Sequence, residues 1–206
     1  MGVIYWTPLC TAIGVINLAV FLLERIFPKW EMWGRLVFHT TNPEWFQYVT
    51  SLFMHQGWLH LTTNAFFLFA FGAGLEKRIG QLRLLAVYLI AGACGCLVFS
   101  LLQKQDVALV GASGAIFGII CSMVFLDPKA FVMIPGAPLP LPILLFALLY
   151  VLTEIVEGLK FLGPGIEDKI AHTAHVGGGL AGGLVGRVLT GIKAGSKKER
   201  GPAGEG

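Results

Sequence analysis

Long apolar runs, separated by short polar or charged breaks, organise this chain. They predict membrane spans at about residues 7–27, 58–75, 84–103, 111–126, 141–159 and 170–189. Each run approaches the roughly 20 residues that a helix needs to cross a ~30 Å hydrocarbon core. The first run opens on Thr7-Pro8, and proline suits a first helical turn because its missing N–H would lack an intrahelical partner anyway. The fifth follows the prolines Pro135, Pro138, Pro140 and Pro142, which read as a hinge. Between the first two runs lie Trp30, Trp33, Phe38, Trp45 and Phe46 among scattered charges. That mixture suits a loop resting partly in the headgroup zone. Residues 193–206 are charged and glycine-rich and predict a disordered basic tail. Residues 1–192 are then one helical transmembrane domain.

Composition agrees with the runs. Of the 206 residues, 55% are hydrophobic and 13% charged, where a soluble domain carries about 25% charged residues. Mean hydropathy is +0.74. The fold class is therefore an all-α membrane protein, a six-transmembrane-helix bundle. Six spans put both termini on one side. Counted by predicted side, nine Lys and Arg residues fall with the termini and six lie opposite. This bias predicts cytoplasmic termini in a multi-pass protein of the cell's inner membrane. The first run has no basic leader and reads as a retained span rather than a signal peptide. With a net charge of +3 explained by topology, the lipid bilayer is the expected surface partner and nucleic acid is not. The cysteines Cys10, Cys94, Cys96 and Cys121 all fall in apolar runs and read as packed thiols. The Cys94-x-Cys96 pair does not match a structural zinc site.

Polar residues inside the runs carry the chemistry, because such groups are costly in lipid and usually have a task. His60 and Asn64 open the second span, Ser113 the fourth, and His175 lies about five residues into the sixth. These three spans run the same way across the membrane. At about 1.5 Å rise per residue, the four side chains share the outer third of the core. His60 and Asn64 are four apart and stack on one helix face. Gly114 and Gly118 in one span, and Gly178, Gly182 and Gly186 in another, have the spacing of close helix–helix contacts. Packing these stripes together would bring Ser113 to His175. A serine and histidine in contact suit acyl transfer, with Ser113 as nucleophile and His175 as general base and then acid. Asn64, His60 and backbone N–H groups at the start of the fourth span could bind the oxyanion. Asp168 and Glu167 lie about two turns before His175 in a loop, so a dyad fits better than a triad. Spacing alone leaves His172 open as the base. Glu154 and Glu157 approach the outer end of the fifth span and read as interfacial.

These residues bear a family resemblance. The chain resembles the rhomboid intramembrane serine proteases from Trp45 to about Gly186. The match rests on His55-x4-His60-x3-Asn64, Glu76-Lys77-Arg78, Gly111-x-Ser113-Gly114 and Ala174-His175-x-x-Gly178-x-x-x-Gly182. The resemblance implies a six-helix bundle with a membrane-embedded catalytic cavity open to the outer face. It implies cleavage of transmembrane protein substrates without a cofactor. It selects Ser113 and His175 as the catalytic pair, His60 and Asn64 as oxyanion groups, and adds Gly111 to that hole. Glu44-Trp45-Phe46-Gln47 stands where many members carry Trp-Arg. Phe117, four after the serine, can pack on the His175 ring.

Other functions fit less well. No His-Glu-x-x-His motif occurs, so a zinc protease of that type is excluded, and no metal site is expected. Asp106, Asp127 and Asp168 all fall between spans, which excludes an aspartyl intramembrane protease. Internal repeats and charged midplane residues, the marks of a transporter, are missing.

Overall fold

A computed structural model of the protein describes residues 7–103, 105–132, 139–160 and 171–198. Prolines 135 and 138 of the expected hinge, the start of the sixth predicted span, and residues 199–206 lie outside the described residues. The chain is mostly helical. Helix α1 spans Pro8–Ile26. The following loop holds short helices α2 (Met32–Leu36) and α3 (Gln47–Thr50), the latter extended by a 3₁₀ turn at Ser51–Phe53. Helix α4 (Trp58–Phe67) continues through a π turn at Leu68–Gly72 into α5 (Ala73–Ile79). Then come α6 (Gln81–Leu102), α7 (Ser113–Leu126), α8 (Ile143–Lys160) and α9 (His172–Lys198). Gly80, at φ 85°, turns the chain between α5 and α6, a conformation that suits glycine.

Three helical stretches among the described residues are long and apolar enough to cross a bilayer: Pro8–Ile26, Trp58–Ile79 and Gln81–Leu102. Helix α7 is apolar but shorter. Leucines on α1, α6 and α8, among them Leu18, Leu22, Leu97, Leu101, Leu148 and Leu152, are exposed. Side chains of this kind would be costly in water and suit contact with lipid. Helix α9 continues to Lys198, so the first six residues of the expected disordered tail are helical. Lysine and alanine favour helix, and a helix already nucleated propagates easily.

Helix α7 is the centre of the molecule, with every residue from Gly114 to Ile120 buried. It packs on α9 through the glycine stripes. A Cβ added at Gly178 would collide with the Gly114 carbonyl, and one at Gly182 with the Gly118 backbone. Ser122 Oγ donates to the Gly182 carbonyl at 2.7 Å. Backbone-to-backbone contact of this kind is open only to residues without side chains.

Two small ribbons complete the fold. Strand β1 (Phe38–His39) pairs antiparallel with β2 (Ala108–Leu109), and β3 (Phe131–Val132) with β4 (Leu141–Pro142). The first ribbon ties the loop after α1 to the segment that leads into Ser113. Thr40 fastens it: its hydroxyl donates to the Gln105 carbonyl at 2.9 Å and accepts the Val107 N–H at 2.8 Å. The adjacent His39 Nδ1 meets Asp106 Oδ2 at 3.0 Å, and this hydrogen bond holds the Asp106 carboxyl below its ordinary range. Buried Gln47 donates to the Arg35 carbonyl and accepts from the His39 and Glu44 N–H groups. The loop is thus ordered by Gln47 in a stretch that lacks the Trp-Arg pair.

Candidate active site

Ser113 is the first residue of α7, and His175 lies one turn into α9. The glycine seam sets the two helices close enough for His175 Nε2 to lie 2.7 Å from Ser113 Oγ. An imidazole nitrogen at that distance can take the hydroxyl proton. The His175 ring stacks on Phe117, with centroids 4.9 Å apart and an interplanar angle of 6°. Tyr150 of α8 backs Phe117 at 4.3 Å. These contacts hold the imidazole plane.

The pair opens into a cleft of about 540 Å³, which His60, Asn64, Phe67, Tyr150 and Glu154 also line. Asn64 Nδ2 donates to the His60 carbonyl at 3.1 Å. An amide nitrogen carries two hydrogens, so Asn64 retains a second N–H. The Ile116 N–H makes the bond to the Ala112 carbonyl that starts α7. The N–H groups of Ser113, Gly114 and Ala115 therefore belong to the first turn, where intrahelical acceptors run out and negative charge is favoured.

Gly111 lies beside the cleft, but its N–H is donated to the Ser51 carbonyl at 2.9 Å. That bond engages the N–H of the residue that the resemblance adds to the oxyanion hole. The importance of Gly111 here is steric. It adopts φ 123°, and a Cβ at this position would lie 2.6 Å from His60 Cε1. Only glycine lets the His60 ring approach this backbone. His55 packs on His60 with ring centroids 5.2 Å apart. Burial, reinforced by the charge of His60, pushes the His55 imidazole down to about 4.

The carboxylate that the sequence reading did not find is Glu154. Its Oε2 accepts from His175 Nδ1 at 2.8 Å and from His172 Nδ1 at 2.7 Å. Sequence alone makes Glu154 interfacial and favours a dyad, because no acid lies near His175 on its own helix face. A carboxylate reaches His175 from α8. A signal was present: Ala147, Tyr150 and Glu154 recur at helical spacing and form one inward face. His172, left open as the base, meets the carboxylate, whereas the hydroxyl of Ser113 meets His175. Ala171, which precedes both histidines, has φ 56°, a strained conformation for a residue with a Cβ. Glu154, His172 and His175 bring three ligand atoms within 4.8 Å of one another, a spacing that a metal ion could use. A metal on His175 Nδ1 would leave the proton on Nε2, which cannot then accept one from Ser113. His60 does not belong to this cluster.

Comparison with known proteins gives the chain a family. A family model described as the Rhomboid domain matches residues 42–192. The chain is 30% identical over 172 residues to Rhomboid-like protein 11, chloroplastic, of Arabidopsis thaliana. That match covers 84% of this chain and 54% of the relative, so the chain spans about half of that protein's length. It is 27% identical over 195 residues to Rhomboid protease AarA of Providencia stuartii, covering 83% of this chain and 68% of the relative. RHOMBOID-like protein 5 of Arabidopsis thaliana is 33% identical over 142 residues, covering 68% of this chain and 43% of the relative. With its apolar helices and a family match spanning most of its length, this integral membrane protein belongs to the rhomboid family.

Proposed function

We propose that the protein is an intramembrane serine endopeptidase that cleaves transmembrane segments of other membrane proteins. The observation that carries this reading is the 2.7 Å bond between Ser113 Oγ and His175 Nε2 beside a cleft lined by Asn64 and His60. Ser113 attacks the scissile carbonyl while His175 takes its proton and then gives it to the leaving amine. Water, activated by the same imidazole, hydrolyses the acyl-enzyme. Asn64, His60 and the first-turn N–H groups of α7 stabilise the oxyanion. Gly111 serves by its missing side chain. No cofactor takes part.

In this reading residues 1–192 form one domain. Its six spans are α1, the α4–α5 stretch, α6, α7, α8 and α9. The cleft opens to the outer face and both termini are cytoplasmic. A π turn, a feature often found at functional sites, follows His60 and Asn64 in the α4–α5 stretch.

The test is labelling of the solubilised protein with a fluorescent fluorophosphonate, together with cleavage of a transmembrane substrate in liposomes. Wild type is expected to label and cleave. Ser113→Ala and His175→Ala are expected to do neither, while His172→Ala keeps measurable labelling. Labelling that survives Ser113→Ala, or a folded wild type that neither labels nor cleaves in lipid, would sink the reading.

A further inference from the structure

Two imidazoles aim their Nδ1 atoms at one carboxylate oxygen in the interior of this protein. Glu154 is only 5% exposed, and its Oε2 lies 2.8 Å from His175 Nδ1 and 2.7 Å from His172 Nδ1. An ionised carboxylate can only accept, so each Nδ1 must donate. This fixes the tautomer of His175. Its proton sits on Nδ1, and the lone pair of Nε2 faces the Ser113 hydroxyl. Without an acceptor at Nδ1, a neutral imidazole is free to carry its proton on Nε2, where it cannot act as the base. The carboxylate also balances the imidazolium that forms when Ser113 gives up its proton. A buried carboxylate needs hydrogen bonds to offset its lost hydration, and the two imidazole N–H groups supply them.

The surroundings leave these roles distinct. Among the described residues, polar groups near the carboxylate and the His175 ring include His172 of α9, Tyr150 of α8, Ser113 of α7 and His60 of α4. Among the described residues, His175 alone bridges the carboxylate and the serine. His172 holds the same carboxylate oxygen, while the Ser113 hydroxyl meets His175.

We propose that Glu154 is a positioning residue for His175, with His172 as its second anchor. The Ser113–His175 pair then works as part of a Ser–His–Glu relay assembled from α7, α9 and α8. The proposal rests on the serine protease reading above. It adds no atoms to the reaction: one proton moves from Ser113 Oγ to His175 Nε2 and on to the leaving nitrogen, and the His175–Glu154 proton stays on Nδ1.

The experiment compares wild type, Glu154→Gln, Glu154→Asp and His172→Phe. It reads kcat and KM on a transmembrane peptide substrate in liposomes, the rate of fluorophosphonate labelling, and the melting temperature. Glu154→Gln is expected to lower kcat and labelling rate by about 10²–10⁴-fold, as loss of the orienting carboxylate does in other serine–histidine sites. KM should hardly change, because the substrate does not touch Glu154. Glu154→Asp, which keeps the charge, should recover at least about tenfold over Glu154→Gln, one unit of 1.4 kcal/mol. His172→Phe should cost less than Glu154→Gln, because the carboxylate remains. A folded Glu154→Gln within threefold of wild type in kcat and labelling overturns the proposal, and so does a folded Glu154→Asp no faster than Glu154→Gln. If Glu154→Gln does not fold, wild-type kcat in both Glu154→Asp and His172→Phe overturns it. Wild type that fails to label at Ser113 would instead defeat the protease reading itself.

Discussion

Glu76 and Glu154 are both glutamates in apolar surroundings and both are 5% exposed, yet they do different work. Glu76, in α5, accepts the N–H groups of Leu9 and Cys10 at 3.0 Å each. Those are amides of the first turn of α1, which has no intrahelical acceptor for them. The carboxylate caps that helix from outside and complements its dipole. Glu154 accepts two imidazole N–H groups instead. A peptide amide never releases its proton near neutral pH, so the Glu76 bonds can only hold structure. An imidazole does exchange protons, so the Glu154 bonds reach the chemistry of Ser113. Burial and residue type are equal at the two sites, and the identity of the donor decides the role.

Asn64 is the residue best placed to break this rule. Its amide is tied to backbone, at the His60 carbonyl, yet it lines the cleft. If its second N–H meets the oxyanion, Asn64→Ala should lower kcat by about 10²–10³-fold with the fold intact. Steady-state kinetics on a transmembrane substrate, checked against the melting temperature, tests this. Unchanged kcat would return Asn64 to a purely structural role and leave the oxyanion to backbone N–H groups and His60.

A smaller effect is expected from the glycine seam, which touches neither carboxylate. Gly178→Ala places a methyl group against the Gly114 carbonyl. Helices α7 and α9 must part for it, and the Ser113–His175 bond of 2.7 Å lies on that seam. A misplacement of about 1 Å at a reacting pair can cost about 10²-fold in rate. Fluorophosphonate labelling should therefore slow by up to that factor. A variant that labels at the wild-type rate would mean that another contact than the seam sets the distance.

Glu76→Gln is expected to move stability and leave catalysis alone. A glutamine oxygen can accept one of the two α1 amides, and its NH₂ faces the other. The loss should be about 1–3 kcal/mol, read as a lower melting temperature. The kcat of the folded protein should stay at the wild-type value. A fall in kcat without a fall in stability would erase the distinction between the two glutamates.

Much of this was legible in the sequence because it depends on spacing within single helices. The stripes Gly114–Gly118 and Gly178–Gly182 foretell a close α7–α9 contact, and the offset of His175 from its stripe foretells its meeting with Ser113. Phe117 on the His175 ring follows from the same register. What stayed hidden depends on how separate segments sit against each other. The inward face of α8 is set by the rotation of that helix about its axis, and a glutamate near a span end looks the same whether it meets headgroups or histidines. The backbone bond of Gly111 to Ser51 joins residues sixty apart, and no local pattern records it. The loop before α4 is held by Gln47 and Thr40, whose side chains serve backbone groups that only the folded loop brings near.

The smallest expected effect concerns an imidazole with a different neighbour. His55 is buried against the ring of His60 rather than against a carboxylate. Burial, with the His60 charge adding to it, pushes it down from an ordinary 6.5 to about 4. It stays neutral in the folded protein while the unfolded chain binds a proton as pH falls below 6.5. Stability from this residue is therefore full above pH 6.5 and is lost as the pH drops toward 4, by on the order of 1–3 kcal/mol. His55→Gln cannot titrate, so its melting temperature should fall less than that of wild type between pH 7 and pH 4.5. Equal falls in the two proteins would mean that His55 is not held neutral. A buried imidazole beside another imidazole and one beside a carboxylate would then no longer differ in the way that separates His55 from His175.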